Sequence, residues 1–257
     1  MRKVFLSLIF LCVSLILSAQ QLVGTPYVAS SLEPTPLPDD PDTFVEPLVV
    51  NLEGVDCTTY VEYVIASRLA GQSEILPSDT LFLEKLQALR YRQGVRGNYA
   101  TRKHYFSEWI SDAEAQGLLQ DVTSGMKGSR ILCKRIDFMS QHPQFYPQLQ
   151  KSEALLDEVR KIELQLSADI VYYIPKEQIT KAFSQMKDGD IVAFLTNKEG
   201  LDIQHVGFVW KPSKKSLPRL LHASTTHKCV AVDKRTIAEY AMSQKSISGI
   251  RIIRIAQ

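Results

Sequence analysis

An α+β domain is the fold class this sequence predicts, and a change of pattern along the chain carries the prediction. From residue 56 to about residue 166, apolar residues recur at spacings of three and four. After residue 188, short runs rich in Val, Ile and aromatics alternate with turn residues. Helices first and strands later indicate helices packed on an antiparallel sheet, not alternating βαβ units. A Pro- and Asp-rich stretch, SSLEPTPLPDDPD, precedes the first periodic segment and sets where the folded part begins.

The chain opens on Arg2 and Lys3, an uncharged apolar run over residues 4–17, and small residues at Ser18 and Ala19. This is the pattern of a secretory signal peptide over residues 1–19, because the run is short for a spanning helix. The expected location is periplasmic or otherwise exported, with no stable membrane insertion once the signal is removed; the alternative is an uncleaved anchor. Bulky Ile9, Phe10 and Leu11 speak against lipidation at Cys12. The chain has 30 basic and 28 acidic residues, and removing Arg2 and Lys3 leaves 28 of each. Such a balance supplies no global field for nucleic acid. Residues 20–42, with Pro34, Pro36, Pro38 and Pro41, read as a disordered lead-in. One domain should then fill residues 43–257, with a large helical insertion at about 72–170. The mature cysteines would be Cys57, Cys133 and Cys229, an odd count that leaves at least one free thiol. A Cys133–Cys229 disulfide is open.

A first helix is predicted over residues 56–70. Asp56 serves as N-cap, Tyr60, Val61, Val64, Ile65 and Leu69 form the apolar positions, and Gly71 ends it. A second starts at Ser78 or Asp79, runs through Leu81, Phe82, Leu86 and Leu89, and stops before Gly94; a third spans about 105–116. Residues 150–166 form a further amphipathic helix. Strands are predicted at 190–195, 204–210, 219–224, 228–232 and 249–255.

Cys57 falls in the first turn of the first helix. Unpaired backbone N–H groups and the helix dipole favour a thiolate there, and the same N–H groups suit an oxyanion. Read alone, it is more readily a small buried hydrophobe. His205 and His222 lie on consecutive predicted strands. If those strands pair, the imidazoles sit opposite or diagonal, with Cβ atoms ~4.5–8 Å apart. That spacing suits a base and its orienting partner.

Three strings resemble motifs of the NlpC-type, papain-like cysteine peptidases of bacterial cell walls. Residues 55–61 (VDCTTYV) resemble Asp-Cys-Ser-Gly-Leu-Val, with Thr58 and Thr59 departing from Ser-Gly. Residues 188–194 (DGDIVAF) resemble Pro-Gly-Asp-Leu-Val-Phe-Phe, and residues 205–207 (HVG) with 222–224 (HAS) resemble the His-Val-Gly and His-Ala-Ser pair. Within the insertion, residues 90–92 (RYR), residues 104–106 (HYF) and Trp109 are similar to the N-acetylmuramoyl-L-alanine amidase-like branch, over most of residues 45–257. The resemblance implies a papain-like fold and a catalytic set of Cys57, His205 and His222. It implies cleavage of the amide between the lactyl group of muramic acid and L-alanine, in peptidoglycan or muropeptides, with no metal or other cofactor.

Residues 90–103 hold Arg90, Arg92, Arg96, Arg102 and Lys103 with no acid. Arg92, Arg96 and Arg102 are therefore candidates to pair with stem-peptide carboxylates. Asp56, Thr58 and Tyr60 are candidate substrate contacts beside the nucleophile. Tyr91, Tyr99, Tyr105 and Trp109 are candidate sugar platforms; core aromatics and a solvated basic face are the plain alternative. His104, His142 and His227 read as surface residues. Three other activities stay open: a γ-D-glutamyl-diamino acid endopeptidase of the same fold, a zinc amidase using His205, His222, Cys57 and Cys229, and a non-catalytic wall-binding module.

Overall fold

The computed structural model describes residues 18–29, 32 and 38–256, so residues 1–17 of the expected signal peptide and Pro34 and Pro36 of the lead-in lie outside it. Helix α1, Cys57–Leu69, starts where the sequence places it. The Asp56 carboxylate accepts from the Thr59 N–H at 2.7 Å, and the Thr59 hydroxyl accepts from the Asp56 N–H at 3.0 Å. This reciprocal cap satisfies two donors that a helix start leaves open. Thr59, where the motif has Gly, is the residue that closes it. Every residue from Thr59 to Ser67 is buried, which places α1 in the centre of the domain.

Around α1 stand α2 (Thr80–Arg90) and α3 (Phe106–Ala115). Phe82, Leu86 and Leu89 of α2 join the core, while Leu81 faces out. Helix α4, Glu153–Ala168, begins after Ser152, whose hydroxyl accepts from the Leu155 N–H at 3.0 Å. Helix α5, Ile237–Ser243, is absent from the sequence-based assignment.

The sheet contains β1 (Leu119–Asp121), β2 (Arg130–Leu132), β3 (Val171–Pro175), β4 (Ile191–Thr196), β5 (Ile203–Trp210), β6 (Arg219–Ser224), β7 (Cys229–Thr236) and β8 (Ile247–Ile255). The order is β2-β3-β8-β4-β5-β6-β7, with β1 also on β8, and all pairings are antiparallel. The five predicted strands are all present. Strands β1 and β2 correct the expectation of a wholly helical insertion, since three residues are too few to display an alternation.

Both faces of the sheet are covered. Ile191 and Ala193 of β4 pack with α1, whereas Val192 and Phe194 pack with Ile237, Ala238 and Ala241 on the opposite side. This is why β4 reads as an unbroken apolar run. The insertion carries its own core, in which Tyr99, Tyr105, Leu155, Leu156 and Val159 are buried.

The lead-in is also corrected, because residues 18–29 are packed. Ala19 and Leu22 are buried, and the Tyr60 hydroxyl donates to the Ala19 carbonyl at 3.0 Å. The Gly24 and Tyr27 N–H groups donate to Val230 and Lys228 carbonyls at 2.9 and 2.8 Å. Proline content masked a segment that carries its own apolar anchors and adds to the edge of the sheet. Cys57, Cys133 and Cys229 are free thiols, so the disulfide left open above is not formed. Among the described residues, no helix is long and apolar enough to cross a membrane.

Candidate active site

Strands β5 and β6 pair with Phe208 opposite Leu221 and Val209 opposite Leu220. Continuing that register puts Gly207 opposite His222 and His205 on the diagonal, on the same face. The two imidazoles meet there: His205 Nε2 lies 2.6 Å from His222 Nδ1. Gly207 makes the room. A Cβ at this position would fall 2.8 Å from both His222 Cβ and the Leu221 carbonyl oxygen. Tyr240 of α5 packs on the pair, with ring centroids 6.0 Å from His205 and 5.4 Å from His222. The Arg235 guanidinium lies over the phenol ring, 5.1 Å from its centroid.

Cys57 occupies the first position of α1 and is half-buried. It shares a cleft of about 140 Å³ with His205, Thr58, His104, Trp109 and Asp202. Burial first, then the Asp56 charge, push its thiol up to about 11, against the Val206 N–H, the Thr58 hydroxyl and its own N–H. This reverses the sequence expectation of a lowered thiol: the helix start is a local effect, and desolvation by the surrounding walls outweighs it. Burial, and secondarily His222, bring His205 down to about 3. Burial also brings His222 down to about 4, with Asp233 pulling the other way. The resting pair is thus a neutral thiol and a neutral imidazole.

The two histidines couple folding to pH. Both fold with values below the ordinary 6.5, so between about 3 and 6.5 the unfolded chain binds more protons than the folded one. Their contribution to stability is complete above 6.5 and is lost as pH falls toward 3–4. We expect the unfolding free energy from urea titration to drop from pH 7 to pH 4, by on the order of 1 kcal/mol per pH unit per histidine. A His205→Gln/His222→Gln double variant should show a shallower acid limb in the same titration. An identical limb would show that the acid sensitivity originates elsewhere.

The other residues expected at the site divide. Thr58 lines the cleft, but Asp56 is the helix cap and Tyr60 is fully buried in the core. Arg92 donates to Glu108 at 2.6 Å and to the Ala100 carbonyl at 2.7 Å, and Arg102 donates to Glu46 at 2.9 Å. Arg92 and Arg102 thus hold the insertion together, while Arg96 is exposed; none of the three lines the cleft. Tyr91, Tyr99, Tyr105 and Trp109 are buried, so none offers a free face to a sugar, although Tyr105 and Trp109 form part of the cleft wall. His104 is not a surface residue: it lines the cleft, and its Nε2 lies 2.9 Å from the Tyr99 carbonyl oxygen.

Sequence reasoning missed Tyr27, Tyr240 and Asp202. Tyr27 arrives on the packed lead-in, bridged to Val55, close enough that the Cys57 and Asp56 charges add to burial in raising its phenol. Asp202 lies at the cleft wall with its carboxylate accepting from the Ser107 N–H at 2.7 Å. Among the described residues, no group of three or more His, Cys, Asp or Glu side chains is placed to hold a metal ion.

Fold and site define a mixed α/β protein whose chemistry gathers where a central helix starts beside a bonded pair of histidines. The sequence matches, over residues 17–250, the family model described as AmiA-like, N-acetylmuramoyl-L-alanine amidase-like. The chain belongs to that family, which points to amide hydrolysis in peptidoglycan material. It is similar to the crystal structure of an N-acetylmuramoyl-L-alanine amidase from Bacteroides uniformis, with 36% identity and a TM-score of 0.84, covering 96% of this chain and 99% of that one. A structure from Bacteroides fragilis described as a putative xylanase is also 36% identical, with a TM-score of 0.79 over 92% of this chain and 98% of that one. A Legionella pneumophila protein shares the fold at 22% identity, with a TM-score of 0.70 over 100% of this chain and 93% of that one. No curated protein matches.

Proposed function

We propose that this chain is an exported cysteine N-acetylmuramoyl-L-alanine amidase of the NlpC-type, papain-like superfamily. The observation that carries the reading is the bonded His205–His222 pair opening on the cleft that holds Cys57 at a helix start. Cys57 Sγ attacks the lactyl carbonyl carbon as its proton passes to His205. The carbonyl electrons move to oxygen, which the N–H groups at the start of α1 stabilise. Collapse breaks the C–N bond, and His205 delivers the proton to the departing L-alanine nitrogen. Water then attacks the thioester, losing a proton to His205. The sugar leaves as a lactyl carboxylate, and the thiol is restored. His222 orients His205 throughout.

The charge in the cleft favours the lactyl end of the substrate. Among the described residues, Lys103 is the one Lys or Arg side chain lining it, and its ammonium is taken by the Ala88 and Leu89 carbonyls at 3.0 and 2.9 Å and by Asp112. A neutral sugar–lactyl–alanine junction suits such walls better than the carboxylates of a stem peptide. A zinc reading would need both imidazoles turned to one ion, and here they are turned to each other. The test is the mass of the products from a defined soluble muropeptide. A peptide with a free L-alanine amine, formed with a chelator present and blocked by a thiol alkylator, is the expected result. Cleavage after D-glutamate would move the bond, and loss of activity with the chelator alone would move the chemistry to a metal.

A further inference from the structure

We infer that Asp233 is a positioning residue for His222 and the anion that compensates the imidazolium formed on the His205–His222 pair. The inference rests on the cysteine amidase reading above.

The hydrogen positions in the pair follow from the chemistry. To take a proton from Cys57 at Nδ1, His205 must keep the lone pair there, so its hydrogen is on Nε2. That N–H donates to His222 Nδ1 across the 2.6 Å contact. His222 then carries its own hydrogen on Nε2. This atom is buried and has no hydrogen-bond partner among the described residues, on a side chain that is 2% exposed. A buried N–H aimed at nothing is rare enough to need an explanation.

The hairpin supplies one. His222 pairs with Ala231 across β6 and β7, and Asp233 lies two residues further along β7, where the register of the two strands shifts, close enough for its charge to act on the imidazole. His205 on β5 and Tyr240 on α5 pack against His222, and Asp233 and Arg235 on β7 and His227 in the turn before it act on it through their charge. Asp233 is the one anion in that set. It is buried and held by its neighbour: its Oδ1 accepts from the Arg235 backbone N–H at 2.8 Å and from Nε at 3.0 Å, and its Oδ2 accepts from Nη2 at 2.7 Å. These bonds fix the carboxylate and keep it below the usual carboxylate range, while leaving lone-pair capacity for one more donor. When His205 takes the thiol proton, the short inter-imidazole bond shares the new charge with His222, which faces Asp233.

Asp233→Asn and Arg235→Gln break the same ion pair but change the charge near His222 in opposite directions. The measurement is the ¹⁵N titration of His222 in each folded variant, with kcat and KM on a muramoyl-L-alanine substrate. Asp233→Asn should lower the His222 midpoint and reduce kcat about tenfold at unchanged KM, the effect of one pKa unit of lost imidazolium stability. Arg235→Gln should raise the midpoint, and Asp233→Glu should restore most of the turnover. A purely structural role would leave both midpoints in place, or move them in the same direction, and would overturn the inference. If the wild-type chain hydrolyses no amide, the amidase reading fails, while the opposed midpoint shifts still decide whether Asp233 serves His222. Should Asp233→Asn not fold, the upward shift in Arg235→Gln and recovery in Asp233→Glu carry the same decision.

Discussion

Cys57→Ala is expected to leave no measurable release of L-alanine-terminated peptide while the thermal melt stays close to wild type. In the proposed mechanism the sulfur is the attacking atom, and removing a nucleophile of this kind costs on the order of 10⁶ in kcat. The side chain is only half-buried, and the cap that starts α1 belongs to Asp56 and Thr59, so the helix survives the change. Cys57→Ser should be nearly as inactive. Burial lowers His205, and a base weakened in this way activates a hydroxyl less readily than a thiol. Substantial turnover in either variant, measured by product mass, would remove the thiol from the mechanism.

Gly207→Ala should be the most damaging substitution that touches no ionisable group. The added methyl would sit 2.8 Å from His222 Cβ, 2.8 Å from the Leu221 carbonyl oxygen and 2.9 Å from Leu220 Cδ1. Two of these atoms belong to the facing strand's backbone and to the start of a side chain, which cannot swing aside. Overpacking of this kind costs about 1–3 kcal/mol of stability. The displaced His222 loses its 2.6 Å contact with His205, and a misplacement of that size costs about a hundredfold in kcat. Gly125→Ala is the control, because a Cβ there meets nothing within 4 Å. Wild-type kinetics in folded Gly207→Ala would show that the histidine pair does not depend on this packing.

What was legible in the sequence is what local chemistry decides. Asp56 before an apolar period and Gly71 behind it bracket α1 to within a residue, and β6 coincides with residues 219–224. That His205 and His222 meet followed from pairing two adjacent strands, and the observed register makes them diagonal neighbours. What escaped depends on contacts distant in the chain. The basic run at 90–103 looked like an unpaired groove because its acids lie elsewhere: Glu46 is 56 residues from Arg102, Glu62 is 28 from Arg90 and Glu108 is 16 from Arg92. The thiol was read from its helix start, while the desolvation that raises it comes from walls supplied by other elements. Tyr27 was hidden in a proline-rich stretch. One missed element did carry a local signal: Thr236 and Glu239 form a capping box, and that spacing marks the start of α5 and so of Tyr240.

Intact-mass analysis of an acid-quenched single turnover tests the central claim most directly, because one adduct reports both the nucleophile and the bond. The account predicts a transient mass increase equal to the muramic acid acyl group, located by peptide mapping to Cys57 and absent from Cys57→Ala. An adduct that also carries L-alanine and D-glutamate would place the cut in the stem peptide. Turnover with no adduct on Cys57, in a reaction that a chelator stops, would contradict the cysteine mechanism.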